Sequence, residues 1–465
     1  MLVRISWIFA VAVLALQLLG LRASAGQVAV VDATANTTVT EELLRTLHAE
    51  GQLSDESYRR LAEQLREERA SSSETAENAD DDWRFRWKNG LRFERRDGRH
   101  KLTIAGHVQN DWSVIDYDSK TAQAKDLDGE DLFTGTEFRR ARIAFKGQLY
   151  KRLRFKAQFD FSNGGADMKG AWIAIRKLGP LGTLKIGQFR APLSLEGRTG
   201  SKYTSFMERG LPNALVPDRG TGFSFANAHA KRRITWTLSA QRSTDDSGRG
   251  FSGDVAYDVG GRLTALPLYL NKGANLIHLG ASYIHQFRSG EERVRYRARP
   301  ESSLAERLVT TTRLETDGQQ IFGFEFAVVD GPVSFQTEFI GSIVNQRDES
   351  DPFLWGVYGF ASLSLTGEHR EYDKRSGTFG RLRPERPFNP DKGHWGAWEL
   401  VARVSVLNLE VVEDEEDKGG ELRDFTAGIN WVLYSNFRSM LNYVVSDSKG
   451  DGITQIGQLR FQLDF

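Results

Sequence analysis

The chain has 465 residues, no cysteine, and equal numbers of basic and acidic side chains, 62 of each. Lack of cysteine excludes disulfide scaffolds and thiol chemistry, and zero net charge by itself points to no partner, so charge can act only through its distribution. A mean hydropathy of −0.45 suits a soluble protein, and equally strands with one apolar and one polar face, while no second apolar stretch of helix-spanning length follows the N-terminal one.

The N-terminus has the form of a secretory signal: Arg4, an apolar run from Ile5 to Leu21, then Ala23-Ser24-Ala25 as a cleavage site before Gly26. Residues 1–25 are therefore expected to be removed. After a polar lead at 26–38, apolar residues between Thr40 and Arg69 recur at spacings of three and four, in two groups around Gly51. Leu43, Leu44 and Leu47 form the first group; Tyr58, Leu61 and Leu65 form the second, with Ser54 as its start. Two short helices are expected, followed by a linker, Ser71 to Asp82, rich in Ser, Glu and Asp. Residues 26–82 are thus assigned to a periplasmic helical segment and linker, and residues 83–465 to a barrel.

From Trp83 the period becomes two. A hairpin with Asn89-Gly90 at its turn comes first. Beyond His100, Leu102, Ile104, Gly106, Val108, Trp112 and Val114 share one face, and His107, Gln109, Asp111 and Ser113 the other. The same alternation recurs in Phe138 to Leu149 and Arg152 to Ser162, and near 170–177, 182–190, 220–230, 232–243, 254–267, 275–287, 320–330 and 332–346. It ends with stretches near 353–371, 395–410, 422–434, 437–447 and 453–465. About sixteen such strands form an even number suited to an all-β, transmembrane antiparallel β-barrel. Short links such as Tyr150-Lys151 alternate with longer charged ones at 116–136, 288–319, 372–394 and 411–421. That asymmetry is expected of short periplasmic turns and long extracellular loops. No repeat of propeller length appears.

Several segments resemble the phosphate-selective porin O and P family. They are Phe138-Arg139-Arg140-Ala141-Arg142-Ile143 with Gly147; Leu184 to Leu193 around Gly187-Gln188-Phe189; Met207-Glu208-Arg209; and Pro217-Asp218-Arg219-Gly220. Further on stand Trp395-Gly396-Ala397-Trp398-Glu399-Leu400, Arg403, Gly428-Ile429-Asn430-Trp431 and Asn442-Tyr443. The resemblance implies a sixteen-stranded porin of a Gram-negative outer membrane, a homotrimer, and a loop folded into the pore. Alternation up to the terminal Phe465 also resembles the signal read by outer-membrane assembly machinery.

Strand geometry then assigns faces. With Ala141, Ile143 and Phe145 toward lipid, Arg140, Arg142 and Lys146 face the lumen. With Leu153, Phe155 and Ala157 toward lipid, Arg152, Arg154 and Lys156 face inward too, and a tight turn puts these six cations on one wall. Lys185 joins them, since Leu184 and Ile186 take its lipid face. Cations in an aqueous channel concentrate anions, and guanidinium groups bind phosphate oxygens in pairs. The competing reading is neutralisation by lumen-facing Asp160, Glu325, Glu338 or Glu399.

The loop from Pro192 to Pro217 is the expected constriction, carrying Arg198, Lys202, Glu208 and Arg209, with Arg219 just beyond it. The acidic run Glu413 to Asp417 suits a solvated loop, and Trp395, Trp398 and Trp431 suit an interfacial girdle. Catalysis finds no support: there is no G-x-S-x-G elbow, H-E-x-x-H or P-loop. Neither cofactor nor metal is called for. Outer-membrane lipid, lipopolysaccharide and small anionic solutes are the expected partners. The remaining alternatives are a phosphate or polyphosphate channel, a general porin of weak selectivity, and a plugged barrel acting as a structural surface protein.

Overall fold

The computed structural model describes residues 46–51, 54–64, 66–67, 83–87, 90–127, 132–245, 247–250, 256–289, 293–347, 350–411 and 419–465. The signal sequence, the linker and the acidic run at 413–417 lie outside these residues. In a small N-terminal unit, helical turns at 46–49 and 55–64 flank Gly51, whose φ of +72° breaks the helix. Ser54 opens the second helix, its hydroxyl accepting the N–H of Ser57 at 3.3 Å. His48 stacks on Tyr58 with ring centroids 4.4 Å apart. Strands Trp83–Trp87 and Leu91–Arg95 follow as a hairpin.

The larger unit is a closed antiparallel barrel of sixteen strands, β1 to β16. They are β1 Lys101–Tyr117, β2 Leu132–Leu149, β3 Leu153–Asp160, β4 Asp167–Arg176, β5 Thr183–Arg190 and β6 Arg219–His229. Next come β7 Ile234–Ser243, β8 Ala256–Leu270, β9 Asn275–Arg288, β10 Leu314–Asp330 and β11 Val333–Gln346. The last five are β12 Phe353–Ser364, β13 Ala397–Asn408, β14 Glu421–Tyr434, β15 Phe437–Ser448 and β16 Gly452–Asp464. Neighbours in sequence are neighbours in the wall, and β16 closes on β1 from Thr454 opposite Tyr117 to Asp464 opposite His107. Closure leaves no free edge, which a hydrocarbon environment requires of a sheet.

Burial is inside out. Trp112, Phe138, Ile173, Phe223, Leu263, Phe324 and Val404 are exposed on the outer face, whereas Gln109, Asp111, Ser113, Arg403 and Arg460 are buried within. Only a lipid-facing exterior makes that distribution favourable. Trp398 and Trp431 stack at 5.2 Å on this exterior.

One connection departs from the loop-length expectation. Links after even-numbered strands share one end of an antiparallel barrel, so 365–396, between β12 and β13, lies at the end of the short periplasmic turns, not outside the cell. β12 stops at Ser364, and the alternation near 365–371 belongs to this connection. It is long because it enters the lumen, where Arg370, Thr378, Phe379 and Arg381 are buried.

The candidate channel and its basic wall

Residues 191–218, between β5 and β6, fold into the barrel. A short helix, Leu195–Arg198, begins at Ser194, whose hydroxyl accepts the N–H of Gly197 at 2.8 Å. The N–H groups of Leu195 and Glu196 both reach the Glu338 carboxylate on β11, each at 2.7 Å, so a wall residue satisfies the orphan donors of the helix start. Further along, Asn430 of β14 donates to the Ser205 carbonyl at 2.8 Å, and Asn442 of β15 accepts the Met207 N–H at 2.9 Å. Arg403 of β13 meets Glu196 at 3.2 Å and lies over the Phe206 ring at 4.1 Å. Glu208 takes Arg139 of β2 at 2.8 Å and Arg460 of β16 at 2.9 Å. Burial pushes the Glu208 carboxyl up, but Arg139, Arg140 and Arg460 outweigh it and hold it well below the usual carboxylate range.

This docking leaves open space against the other wall. One cavity of about 360 Å³ is lined by Arg142 and Lys146 of β2, Lys156 of β3, Lys169 of β4, Lys185 and Arg190 of β5, Arg198 and Lys202 of the loop, and Arg219 of β6. No carboxylate lines it. A second cavity of about 370 Å³ shares Arg142, Lys169, Arg190 and Arg219 with the first, and adds Arg139, Arg140, Arg209, Asp160 and Asp218. Four cations thus line both cavities.

Of the eleven cations expected from sequence, seven line the first cavity: Arg142, Lys146, Lys156, Lys185, Arg198, Lys202 and Arg219. Arg140 and Arg209 line only the second. Arg140 donates to Gln109 at 2.8 Å, and Arg209 is held by the carbonyls of Glu196 and Thr199. Arg152 and Arg154 line neither, against the expectation of a single six-cation wall. Arg152 belongs to the turn before β3, and Arg154 is only the second residue of that strand, so both sit at the barrel's rim.

Two lining residues escape simple alternation. Lys169 precedes Gly170, whose φ of +131° accompanies a register shift against β3, so the pleat slips there. Arg190 ends β5 with the parity of Leu184 and Ile186, yet it reaches inward to the Gly197 carbonyl. Arg139 also turns in beside Arg140, although Phe138 is exposed. The acids named as neutralisers divide in role. Asp160 pairs with Arg142 at 2.6 Å, but Glu325 pairs with Arg262, Glu338 caps the loop helix, and Glu399 accepts from Ser205 and Asn430.

A lipid-facing closed barrel with a charged, loop-narrowed interior is the architecture of an outer-membrane porin, a channel of the Gram-negative outer membrane. Residues 103–465 match the family described as Phosphate-selective porin O and P. The chain belongs to that family. Porin O of Pseudomonas aeruginosa is 24% identical over 409 residues, covering 79% of this chain and 87% of that one. Among solved structures, an anion-selective porin from Comamonas acidovorans is 11% identical with a TM-score of 0.49, covering 79% of this chain and 100% of that one. The outer membrane channel DcaP of Acinetobacter baumannii is 9% identical with a TM-score of 0.49, covering 80% and 99%.

Proposed function

We propose that the protein conducts small anions, phosphate or polyphosphate among them, along an off-centre passage beside β1 to β6, and that it works as a homotrimer. The observation carrying this is the first cavity: nine cations and no carboxylate in its lining. Cations set in a water-filled, low-dielectric enclosure raise the local anion concentration and repel cations. Arg142, Lys169, Arg190 and Arg219, which line both cavities, are the step an anion would pass between them. Guanidinium and ammonium groups at that step would exchange for the hydration of an oxyanion.

A second reading, a general porin of weak selectivity, has its own support. Asp160 holds Arg142 at 2.6 Å, Asp464 holds Lys202 at 3.0 Å, Asp167 lies 3.5 Å from Lys169 and Asp218 lies 3.3 Å from Arg219, which removes part of the wall's charge. Single-channel recording under a potassium chloride gradient separates the two. Strong anion selectivity, with chloride current blocked by added phosphate, supports the first; near-ideal neutrality supports the second. A channel that conducts nothing would refute both and leave a plugged surface protein. Native mass spectrometry or cross-linking in detergent tests the trimer.

A further inference from the structure

The extracellular connection between β9 and β10 also enters the barrel. Its Ala298, Ala305 and Leu308 join Leu407, Leu422, Val444 and Ile456 of the wall in one apolar cluster. A row of oxygens lies within this apolar seal. Asp424 of β14 stands opposite Ser446 of β15, and Ser446 stands opposite Thr454 of β16. Opposed side chains on one face of antiparallel strands have Cβ atoms about 4.5–5.5 Å apart. All three residues are at most 2% exposed.

Asp424 Oδ2 accepts the Glu301 N–H at 2.8 Å. Its Oδ1, Ser446 Oγ and Thr454 Oγ1 have no hydrogen-bond partner among the described residues, and neither has Ser302 Oγ, next to Glu301 on the loop. Arg403, the nearby guanidinium, is engaged by Glu301 at 2.9 Å and Glu196 at 3.2 Å. A carboxylate this deeply buried, with one oxygen unpartnered and the nearby Arg403 already shared by Glu301 and Glu196, is disfavoured as an anion unless a proton or a further counter-charge completes it.

We propose that Asp424, Ser446 and Thr454, closed over by Ser302, bind one small hard cation of the sodium class that locks this loop to the wall. The donors are all hard oxygens, the chemistry that alkali and alkaline-earth ions take. One uncompensated carboxylate matches a single positive charge, whereas a divalent ion would leave surplus charge close to Arg403.

The test uses the whole protein in detergent. Its unfolding temperature is measured in sodium chloride, in choline chloride of equal ionic strength, and in choline chloride with added calcium chloride. Sodium should raise the unfolding temperature saturably, by roughly 2–4 °C, as a ligand of the folded state does. Asp424→Asn, which keeps the shape and removes the charge, should abolish that response. Thr454→Val should raise the half-saturating sodium concentration about tenfold, the worth of one polar contact, and it still reports should Asp424→Asn fail to fold. Identical unfolding temperatures in sodium and choline would overturn the site, as would a sodium response that survives Asp424→Asn. A response to calcium alone would overturn the monovalent assignment.

Discussion

The two sides of the lumen use the same residue types to opposite ends. From β8 round to β16, arginines are locked by carboxylates: Arg262 to Glu325 at 2.7 Å, Arg403 to Glu196 at 3.2 Å and Arg460 to Asp111 at 2.6 Å. Along β2 to β5, Lys146, Lys156 and Lys185 face a cavity and have no carboxylate partner among the described residues. Lys185 instead lies between the rings of Trp172 and Phe189, at 5.2 and 5.3 Å. The locked side holds the inward loop in place; the side that the loop leaves open keeps Lys146, Lys156 and Lys185 without such partners, although Arg142, Lys169 and Arg219 there do meet carboxylates. Zero net charge for the whole chain thus hides an uneven interior.

The sharpest way to break this contrast is to reverse the open wall. Arg142, Lys146, Lys156 and Lys185 changed together to Glu should turn the channel from anion- to cation-preferring, read as a change of sign in the zero-current potential under a salt gradient. The same exchange at Arg152 and Arg154 should leave that potential unmoved, because neither lines the two cavities of the basic wall. An equal effect from both sets would mean that charge acts at long range and that the cavity lining is irrelevant.

The next effect concerns the paired wall. Arg403→Met leaves Glu196 and Glu301 buried without their shared cation, and losing one member of a buried ion pair costs about 3–5 kcal/mol. The loop should come loose. Single-channel conductance should rise with increased noise, and denaturant should unfold the variant at lower concentration. Unchanged conductance would show that Asn430, Asn442 and Glu338 suffice to hold the loop.

These two walls were unequally legible from the amino acids. Alternation placed His107, Gln109, Asp111 and Ser113 inside and Trp112 and Val114 outside, as observed, because a period of two leaves little freedom when one face meets lipid. It failed where the pleat slips, at Lys169 before Gly170, and at strand ends, where Arg190 bends inward and Arg152 never enters. Loop length misplaced 372–394, since length says that a link is long but not which end it fills. The residues quoted for the family resemblance turn out to be the loop's mooring points. Glu399, Arg403, Asn430 and Asn442 all touch residues 196–209. Their role was invisible in sequence because each contact spans some two hundred residues.

A smaller effect tests how firmly the mooring resists acid. Glu208 has a depressed folded-state pKa, so its contribution is fully present above its unfolded value of about 4.3 and is lost only as pH falls through the depressed value. Anion selectivity should therefore stay constant from pH 7 down to about pH 4 as far as this group is concerned. Glu208→Gln should weaken the loop even at neutral pH, since it leaves Arg139 and Arg460 with a poorer acceptor.

The smallest expected change bears directly on the line between the two walls. Lys202 sits on the loop and lines the basic cavity, yet Asp464, at the end of β16, holds it at 3.0 Å and holds Arg381 of the periplasmic connection at 2.6 Å. It is a cation of the open side partly claimed by the structural side. Asp464→Asn keeps the hydrogen-bonding shape and removes one negative charge near the passage. Physiological salt screens charges over about 8 Å, so the anion-to-cation permeability ratio should rise only about twofold, and more at low ionic strength. A fall in that ratio would mean that the Asp464 pair positions Lys202 toward the passing ion, and that the two walls are coupled through this bridge instead of merely opposed.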